Sequence, residues 1–174
     1  RKFIRLLEVG NPNVLGMLWL RPQDYILTTD AGKLLIDKRD IFVGKHVYRS
    51  FTGYAYAQLQ QMNKKSYLGY MGEKRKALVD KFGYDTKNAA HLVRLLRMGI
   101  EFLSEGQLHV FRHDAPQLLA IKRGEWTFEQ VREEADRLFK SSEQAYLNSK
   151  LPNEPVRSDV NKLCIEVCKT AFKR

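Results

Sequence analysis

The sequence predicts a mostly α-helical bundle with at most a short edge strand or hairpin. Apolar residues recur three and four positions apart along most of the chain, which is the period of a helix with one buried side. Residues that favour helix caps precede these segments, and glycine or proline follows them. Segments with the alternating pattern of a strand are few and short, and no internal repeat is present.

The first part of the chain is expected to form two short helices. Apolar residues between positions 2 and 9 predict a helix that ends at Gly10, where a left-handed C-terminal cap costs little. Asn11 is expected to cap a second helix that begins at Pro12, because asparagine accepts hydrogen bonds from unpaired N–H groups and proline fits the first helical position. We expect this helix to end at Arg21–Pro22.

The following segments are less regular. Residues 25–28 are β-prone and predict either a loop or an edge strand, and residues 30–32 have the composition of a turn. A short helix is expected over residues 33–42, broken at Gly44. A brief strand is a further candidate at residues 108–111.

A longer helix is expected from residue 45 to about 63. Gly53 lies inside it, where glycine costs about 1 kcal/mol relative to alanine. This cost favours a close approach of a neighbouring helix or a ligand to Gly53. A polar connection over residues 64–72 then leads to a basic helix over residues 73–82.

The strongest helical pattern follows. Asp85 or Thr86 is expected to cap a helix that runs to about Ser104 and stops at Gly106. Its apolar residues recur at helical spacing and predict a stripe buried against other helices. The stripe comprises Ala89, Leu92, Val93, Leu96, Ile100 and Leu103.

Three further helices complete the prediction. Asp114 is expected to cap a short one, and Thr127 opens a Thr-x-x-Gln pattern, which is the capping box of a long one. An extended linker at residues 151–155 leads to a last helix from Ser158 to about Phe172.

Composition limits the class of protein. The chain has 174 residues, enough for one domain with a core, and its net charge of +10 makes a polyanion the natural partner. No apolar run reaches the length of a membrane span, and the first residues given do not form the apolar h-region of a secretion signal. Cys164 and Cys168, four apart on one helix, are poorly placed for a disulfide and too few for a zinc site. They indicate reduced thiols in a cytoplasmic protein.

Lys87, His91 and Arg94 form what we call the basic row. They follow helical spacing on the side opposite the apolar stripe, and Met98 continues their line. Cationic groups aligned in this way suit a phosphate chain or an RNA backbone. A solvated helix surface is the plainer interpretation, and the segment by itself leaves both open.

The residues assign no catalytic group and no metal ligand to this chain. There is no HExxH motif, no Walker loop and no GxSxG elbow. Asp37 and Asp40 lie three apart, but the bases beside them favour ion pairing. Arg112 and His113 suggest a metal-independent ribonuclease, although residues 114–116 predict a turn where such a pair needs one helix.

Three segments of the chain form a distinctive combination. They are GNPNVL at residues 10–15, SFTGYA at residues 50–55 and KNAAHLVRLLRMG at residues 87–99. In this order they resemble the RlaP-like predicted nucleotidyltransferases of the DNA polymerase β superfamily, linked to RNA repair in bacteria and phages. The third segment is the most specific, and the similarity extends over nearly the whole chain.

The resemblance implies a two-part enzyme. An α/β palm holds two divalent ions, Mg²⁺ or Mn²⁺, on carboxylates, and a helical part completes the cleft for an NTP. The chain begins at Arg1 without the Gly-Ser turn or the Asp-x-Asp pair of a palm. We therefore interpret residues 1–43 as the end of the palm region and connecting helices, and residues 44–174 as the nucleotide- or acceptor-binding domain. The missing palm is expected on an N-terminal segment or a second chain, and this chain alone is expected to be inactive.

The resemblance also gives the candidate site residues their roles. The basic row is expected to hold the triphosphate or an acceptor phosphate. Basic side chains that precede it are expected to add phosphate contacts: Arg39, Lys45 and Arg49. Ser50 is expected to hydrogen-bond a sugar or phosphate, with room left by Gly53. Tyr54 or Tyr56 is a candidate for stacking on a base, core packing being the alternative interpretation.

Two functions of different classes follow. The first is the helical portion of a metal-dependent nucleotidyltransferase that moves a nucleoside monophosphate from an NTP to an RNA or another acceptor. The second is a non-catalytic RNA-binding or interaction module on the same scaffold. A palm sequence upstream of Arg1 would favour the first function.

Overall fold

The computed structural model describes residues 1–63 and 72–172, and within them it has nine α-helices, three 3₁₀ helices and no strand. The α-helices are α1 (Lys2–Glu8), α2 (Pro12–Leu15), α3 (Asp30–Asp37), α4 (Val47–Asn63), α5 (Glu73–Phe82), α6 (Thr86–Glu105), α7 (Ala115–Lys122), α8 (Phe128–Asn148) and α9 (Arg157–Phe172). The 3₁₀ helices are Gly16–Trp19, Pro22–Asp24 and Arg39–Phe42. The predicted mostly α-helical fold is confirmed. Residues 64–71 of the predicted polar connection lie outside the described residues.

Helix α6 is the element around which the others pack. Helices α4, α7 and α8 cover it, and its predicted apolar stripe is buried except for the half-buried Ile100. A Cβ added to Gly99 would lie 3.0 Å from the Cβ of Phe51 on α4. Near the other end, the side-chain amide of Asn88 donates a 3.3 Å hydrogen bond to Gln61. Helix α4 therefore runs antiparallel to α6.

Three local predictions differ from the structure. The close approach of a neighbouring helix expected at Gly53 is wrong, since no atom of the described residues beyond its own helix turn lies within 4 Å of the place a Cβ would take. The alternative, the approach of a ligand, stays a prediction. Helix α3 begins at Asp30, inside the predicted turn, because the Thr29 hydroxyl caps it by accepting a 3.1 Å hydrogen bond from the N–H of Gly32. The candidate strand at residues 108–111 is a loop, whereas residues 25–28 form the loop that was one of their two predicted alternatives.

The capping box at the start of α8 is present as predicted. The Thr127 hydroxyl accepts a 3.2 Å hydrogen bond from the N–H of Gln130, and the Gln130 side chain accepts a 2.8 Å bond from the N–H of Thr127. Replacing Thr127 with alanine is expected to lower the free energy of unfolding by about 1 kcal/mol, as measured by urea denaturation. The matched control is Thr170→Ala on α9, where the hydroxyl donates to the Glu166 carbonyl and caps no helix. Equal losses in the two variants would contradict the role of the capping box.

Candidate phosphate-binding site

The basic row lies on the exposed side of α6. Lys87 and Arg94 are both exposed, and neither forms an ion pair within the part of the chain that the structure describes. Their positions on the helix are about 10 Å apart along its axis. The Nε of Arg94 donates a 3.5 Å hydrogen bond to the Sδ of Met98, which directs the Arg94 side chain along the helix. Two cations without a carboxylate partner are thus available to an anionic ligand.

His91 contributes to the row differently from its neighbours. Burial lowers the pKa of His91, and the positive charges of Arg94 and Lys87 lower it further. The imidazole is therefore neutral at pH 7 and adds no charge to the row. It offers one hydrogen-bond donor and one acceptor between the two cations.

The start of α6 is held by a buried carboxylate. Asp85 is 4% exposed, and it accepts 3.1 Å hydrogen bonds from the N–H groups of Lys87 and Asn88. The guanidinium of Arg75 on α5 bonds Asp85 at 2.6 Å and donates to the Asn88 side chain at 2.8 Å. These bonds fix the backbone from which the Lys87 side chain extends.

A second group of candidate residues lines a cleft at the start of α4. We call it the arginine cleft; its volume is about 1190 Å³, and it lies between α1, the start of α4 and the start of α9. Arg49 and Ser50 lie on its wall. The other arginines that line it are Arg1, Arg5 and Arg157. None of the four arginines forms an ion pair within the described residues, although Glu8 and Glu154 also line the cleft.

Polar contacts join the walls of the arginine cleft. The Ser50 hydroxyl donates a 2.6 Å hydrogen bond to the Val9 carbonyl, which links α4 to the end of α1. The N–H of His46 donates a 3.0 Å bond to the Asn153 carbonyl in the linker before α9. Burial lowers the pKa of the His46 imidazole, an effect that the carboxylate of Glu154 opposes, so the ring is neutral at pH 7.

The remaining candidates lie outside the arginine cleft. The guanidinium of Arg39 donates a 3.2 Å hydrogen bond to the Leu18 carbonyl and lies 5.5 Å from the ring centre of Trp19. The ammonium of Lys45 lies 5.4 Å from the ring centre of Tyr146. Neither side chain lines the arginine cleft, and both have aromatic partners on the protein itself.

The two tyrosine candidates are on the surface. Tyr54 is 38% exposed, and its hydroxyl accepts a 2.7 Å hydrogen bond from the side-chain amide of Asn11. Tyr56 is 56% exposed. The alternative interpretation of these residues, core packing, therefore does not apply, and both rings are accessible to a base.

Sequence reasoning missed Arg5, Arg157 and His46. About 150 positions separate the first two in the chain, so no local spacing connects them. They meet because α1 packs against α9, and both helices line the same cleft as the start of α4. Arg49 was a candidate because it is a basic residue on the helix that precedes the basic row.

Among known protein families, the model RlaP, described as an RNA repair pathway DNA polymerase beta family, matches residues 1–166 of this chain. The chain belongs to this family. The matched range contains the whole basic row and every residue that lines the arginine cleft. The RlaP chain is thereby related to nucleotidyltransferases of the polymerase β type. No curated protein and no solved structure matches it.

The described residues of this RlaP chain do not fit a divalent-metal site. Such a site needs several oxygen or nitrogen ligands that converge on one ion. Within the described residues, no three side chains of histidine, cysteine, aspartate or glutamate are grouped closely enough to hold one. Cys164 and Cys168 are unbridged and partly buried. No helix of the described part is long and apolar enough to cross a membrane.

Arg112, the ribonuclease candidate, is engaged in an ion network. Its guanidinium donates to the carboxylates of Glu101 and Asp114, and its side chain is only 9% exposed. Arg97 bonds the other oxygen of Asp114 at 2.8 Å. Burial alone would raise the pKa of Asp114, but hydrogen bonds from Arg112 and Arg97 lower it to about 2. With its donors committed to two carboxylates, Arg112 is placed as a structural residue that joins α6 to the start of α7.

Proposed function

We propose that this chain is the phosphate-binding helical portion of a metal-dependent nucleotidyltransferase, which moves a nucleoside monophosphate from an NTP to an RNA or another acceptor. In this proposal Lys87 and Arg94 contact the triphosphate, and His91 hydrogen-bonds between them. The observation that carries it is the pair of exposed cations on α6, which form no ion pair within the described residues, in a chain of the RlaP family. In this proposal the metal-binding carboxylates belong to a palm outside this chain. The proposed location of the activity is the cytoplasm.

The chemistry explains why such a row is useful. In nucleotidyl transfer, an acceptor hydroxyl attacks the α-phosphorus of the NTP, the bond to the β-phosphate oxygen breaks, and pyrophosphate leaves. The reaction depends on positioning the phosphates and on stabilising their negative charge. An arginine can bond two phosphate oxygens at once, and a lysine adds a mobile point charge. Their spacing of about 10 Å along α6 suits an extended anion more than a single phosphate.

A non-catalytic RNA-binding module is the second candidate. The observation that favours it is the arginine cleft. Its four arginines form no ion pair within the described residues, and they need no metal to attract a polyanion. The two candidates differ in what the chain binds by itself. An NTP-binding helical portion binds a mononucleotide through the basic row, whereas an RNA-binding module requires a polymer.

Removing the two cations of the basic row is expected to weaken NTP binding by about tenfold. Two exposed contacts to phosphate contribute together about 1.4 kcal/mol, which is a factor of ten in affinity. Lys87→Ala combined with Arg94→Ala should show this loss in calorimetric titrations with each of the four NTPs in the presence of Mg²⁺. Alanine favours helix at exposed positions, so the fold is retained.

The matched control is Arg132→Ala combined with Lys140→Ala on α8. Both residues are exposed and without an ion pair in the described part, and the double variant removes the same charge. It should bind each NTP as the unmodified chain does. Equal weakening in both double variants, or no weakening in the first, would refute the assignment of Lys87 and Arg94.

A further inference from the structure

We infer that the arginine cleft is a binding site for the phosphodiester backbone of single-stranded RNA, separate from the basic row. The choice of RNA among polyanions rests on the proposed function, whereas the location rests on the cleft itself. Three segments distant in sequence supply its cations: Arg5 from α1, Arg49 from α4 and Arg157 from α9. The site is therefore a product of the tertiary fold.

Charge is the first argument for an anionic ligand. Four arginines line the cleft against two glutamates, Glu8 and Glu154, and none of the arginines is within ion-pairing distance of a carboxylate of the described residues. Four arginines against two glutamates leave the cleft with an excess of positive charge at pH 7, to which the neutral His46 adds nothing. Arginine side chains that line a concave surface without a protein partner attract phosphate groups.

Helix direction is the second argument. The cleft is lined by His46 and Arg49 where α4 starts, and by Pro155 and Arg157 where α9 starts. The N-terminal end of a helix carries a partial positive charge. The first turns of these two helices therefore border the same cavity as the arginines, and their partial positive charge adds to that of the guanidinium groups.

The size and the lining of the arginine cleft favour an RNA strand over a mononucleotide. The volume of about 1190 Å³ exceeds the usual range for small-molecule pockets. Its arginines lie on three different walls, which suits successive phosphates along a backbone. None of the described residues that line the cleft is aromatic, so they offer no ring on which a base can stack. The bases instead meet exposed aliphatic residues such as Val9 and Ile165, and binding is expected to be independent of RNA sequence.

The cleft is distinct from the basic row in space. Ser50 lines the cleft, while Gln61 at the other end of α4 bonds Asn88, the neighbour of Lys87. The rise of an α-helix from Ser50 to Gln61 is about 16 Å. A nucleotide at the basic row and a strand in the cleft therefore occupy different parts of the surface.

The test measures binding of fluorescein-labelled U12 and A12 RNA by anisotropy at several salt concentrations. Each phosphate contact with a single strand contributes about 0.7 to the slope of log K against log salt. Arg5→Ala combined with Arg157→Ala should reduce the magnitude of that slope by about 1.4, which corresponds to about 25-fold weaker binding at 0.1 M salt. The two RNAs should behave alike.

Three controls make the outcome decisive. Arg5→Lys with Arg157→Lys keeps the charge and should keep the salt slope, and Arg132→Ala with Lys140→Ala should leave RNA binding unchanged. NTP binding should be unchanged in the Arg5→Ala, Arg157→Ala variant. An unaltered salt slope in that variant, an equal loss in the α8 control, or a parallel loss of NTP binding would each overturn the inference. NTP binding and RNA binding are measured separately. If the arginine cleft does not bind RNA, the result for NTP binding by Lys87 and Arg94 still holds, and if Lys87 and Arg94 do not bind NTP, the result for the arginine cleft still holds.

Discussion

Replacing Phe102 with alanine is expected to lower the free energy of unfolding by about 3–5 kcal/mol. Phe102 is fully buried on α6, and its ring meets the edge of Trp19 at a centroid distance of 5.7 Å. Truncation removes the buried ring and leaves a cavity between α6 and the 3₁₀ helix that carries Trp19. The Trp19 Nε1 is itself buried with no hydrogen-bond partner in the described residues, so no polar bond holds the indole in place once Phe102 is gone.

Urea denaturation followed by tryptophan fluorescence measures this loss. The matched control is Phe172→Ala at the end of α9, where the ring is 85% exposed and its removal creates no cavity. That variant should stay within about 0.5 kcal/mol of the unmodified chain. A loss below about 1 kcal/mol for Phe102→Ala would show that Trp19 and α6 collapse into the space, and that the packing around this ring is not decisive for stability.

The helices could be predicted because their signals are local. Gly10 and Gly106 end helices with positive φ, and Asp85 and Thr127 begin them with side-chain caps. These signals lie within four residues of the helix ends that they determine. A single sequence therefore contains the information needed for element type and for most boundaries.

Contacts between helices could not be predicted in the same way. Gly53 and Gly99 both lie inside helices, and the pattern favoured a close approach at Gly53, whereas the structure has it at Gly99 against Phe51. The identity of a partner helix depends on packing over the whole chain, and one helical glycine looks like another in sequence.

The candidate site residues also differ in how far they could be predicted, because some share one helix and others meet only through the tertiary fold. Lys87 and Arg94 share one helix, so their common side follows from the helical period. The arginine cleft combines residues from α1, α4 and α9, and of these only Arg49 and Ser50 were candidates from the sequence. Burial, which also depends on the fold, makes His91 neutral at pH 7 through its lowered pKa, where the sequence alone left its charge open.

Replacing Arg97 with alanine is expected to lower the free energy of unfolding by about 3 kcal/mol at pH 7. Arg97 is 15% exposed on α6, and it bonds Asp114 at the start of α7 and Glu134 on α8, each at 2.8 Å. Removing a partner from a largely buried ion pair leaves carboxylates without full compensation. The matched control is Arg137→Ala, since Arg137 bonds the same Glu134 from a position that is 62% exposed. Its loss should stay below about 1 kcal/mol.

The pH dependence of the Arg97 effect separates lost charge pairing from lost packing. Hydrogen bonds from Arg112 and Arg97 outweigh burial and hold the pKa of Asp114 at about 2, below its ordinary value of 3.8. The stabilisation that this shift provides is present above about pH 4 and is lost as the pH falls through 2. In the Arg97→Ala variant the pKa of Asp114 is higher than in the unmodified chain, so Asp114 is protonated at a higher pH in the folded variant. The variant therefore loses less stability on acidification than the unmodified chain does. The difference between the two proteins in urea denaturation should therefore shrink from pH 7 to pH 3. A difference that stays constant would mean that Arg97 acts through the packing of its aliphatic stem.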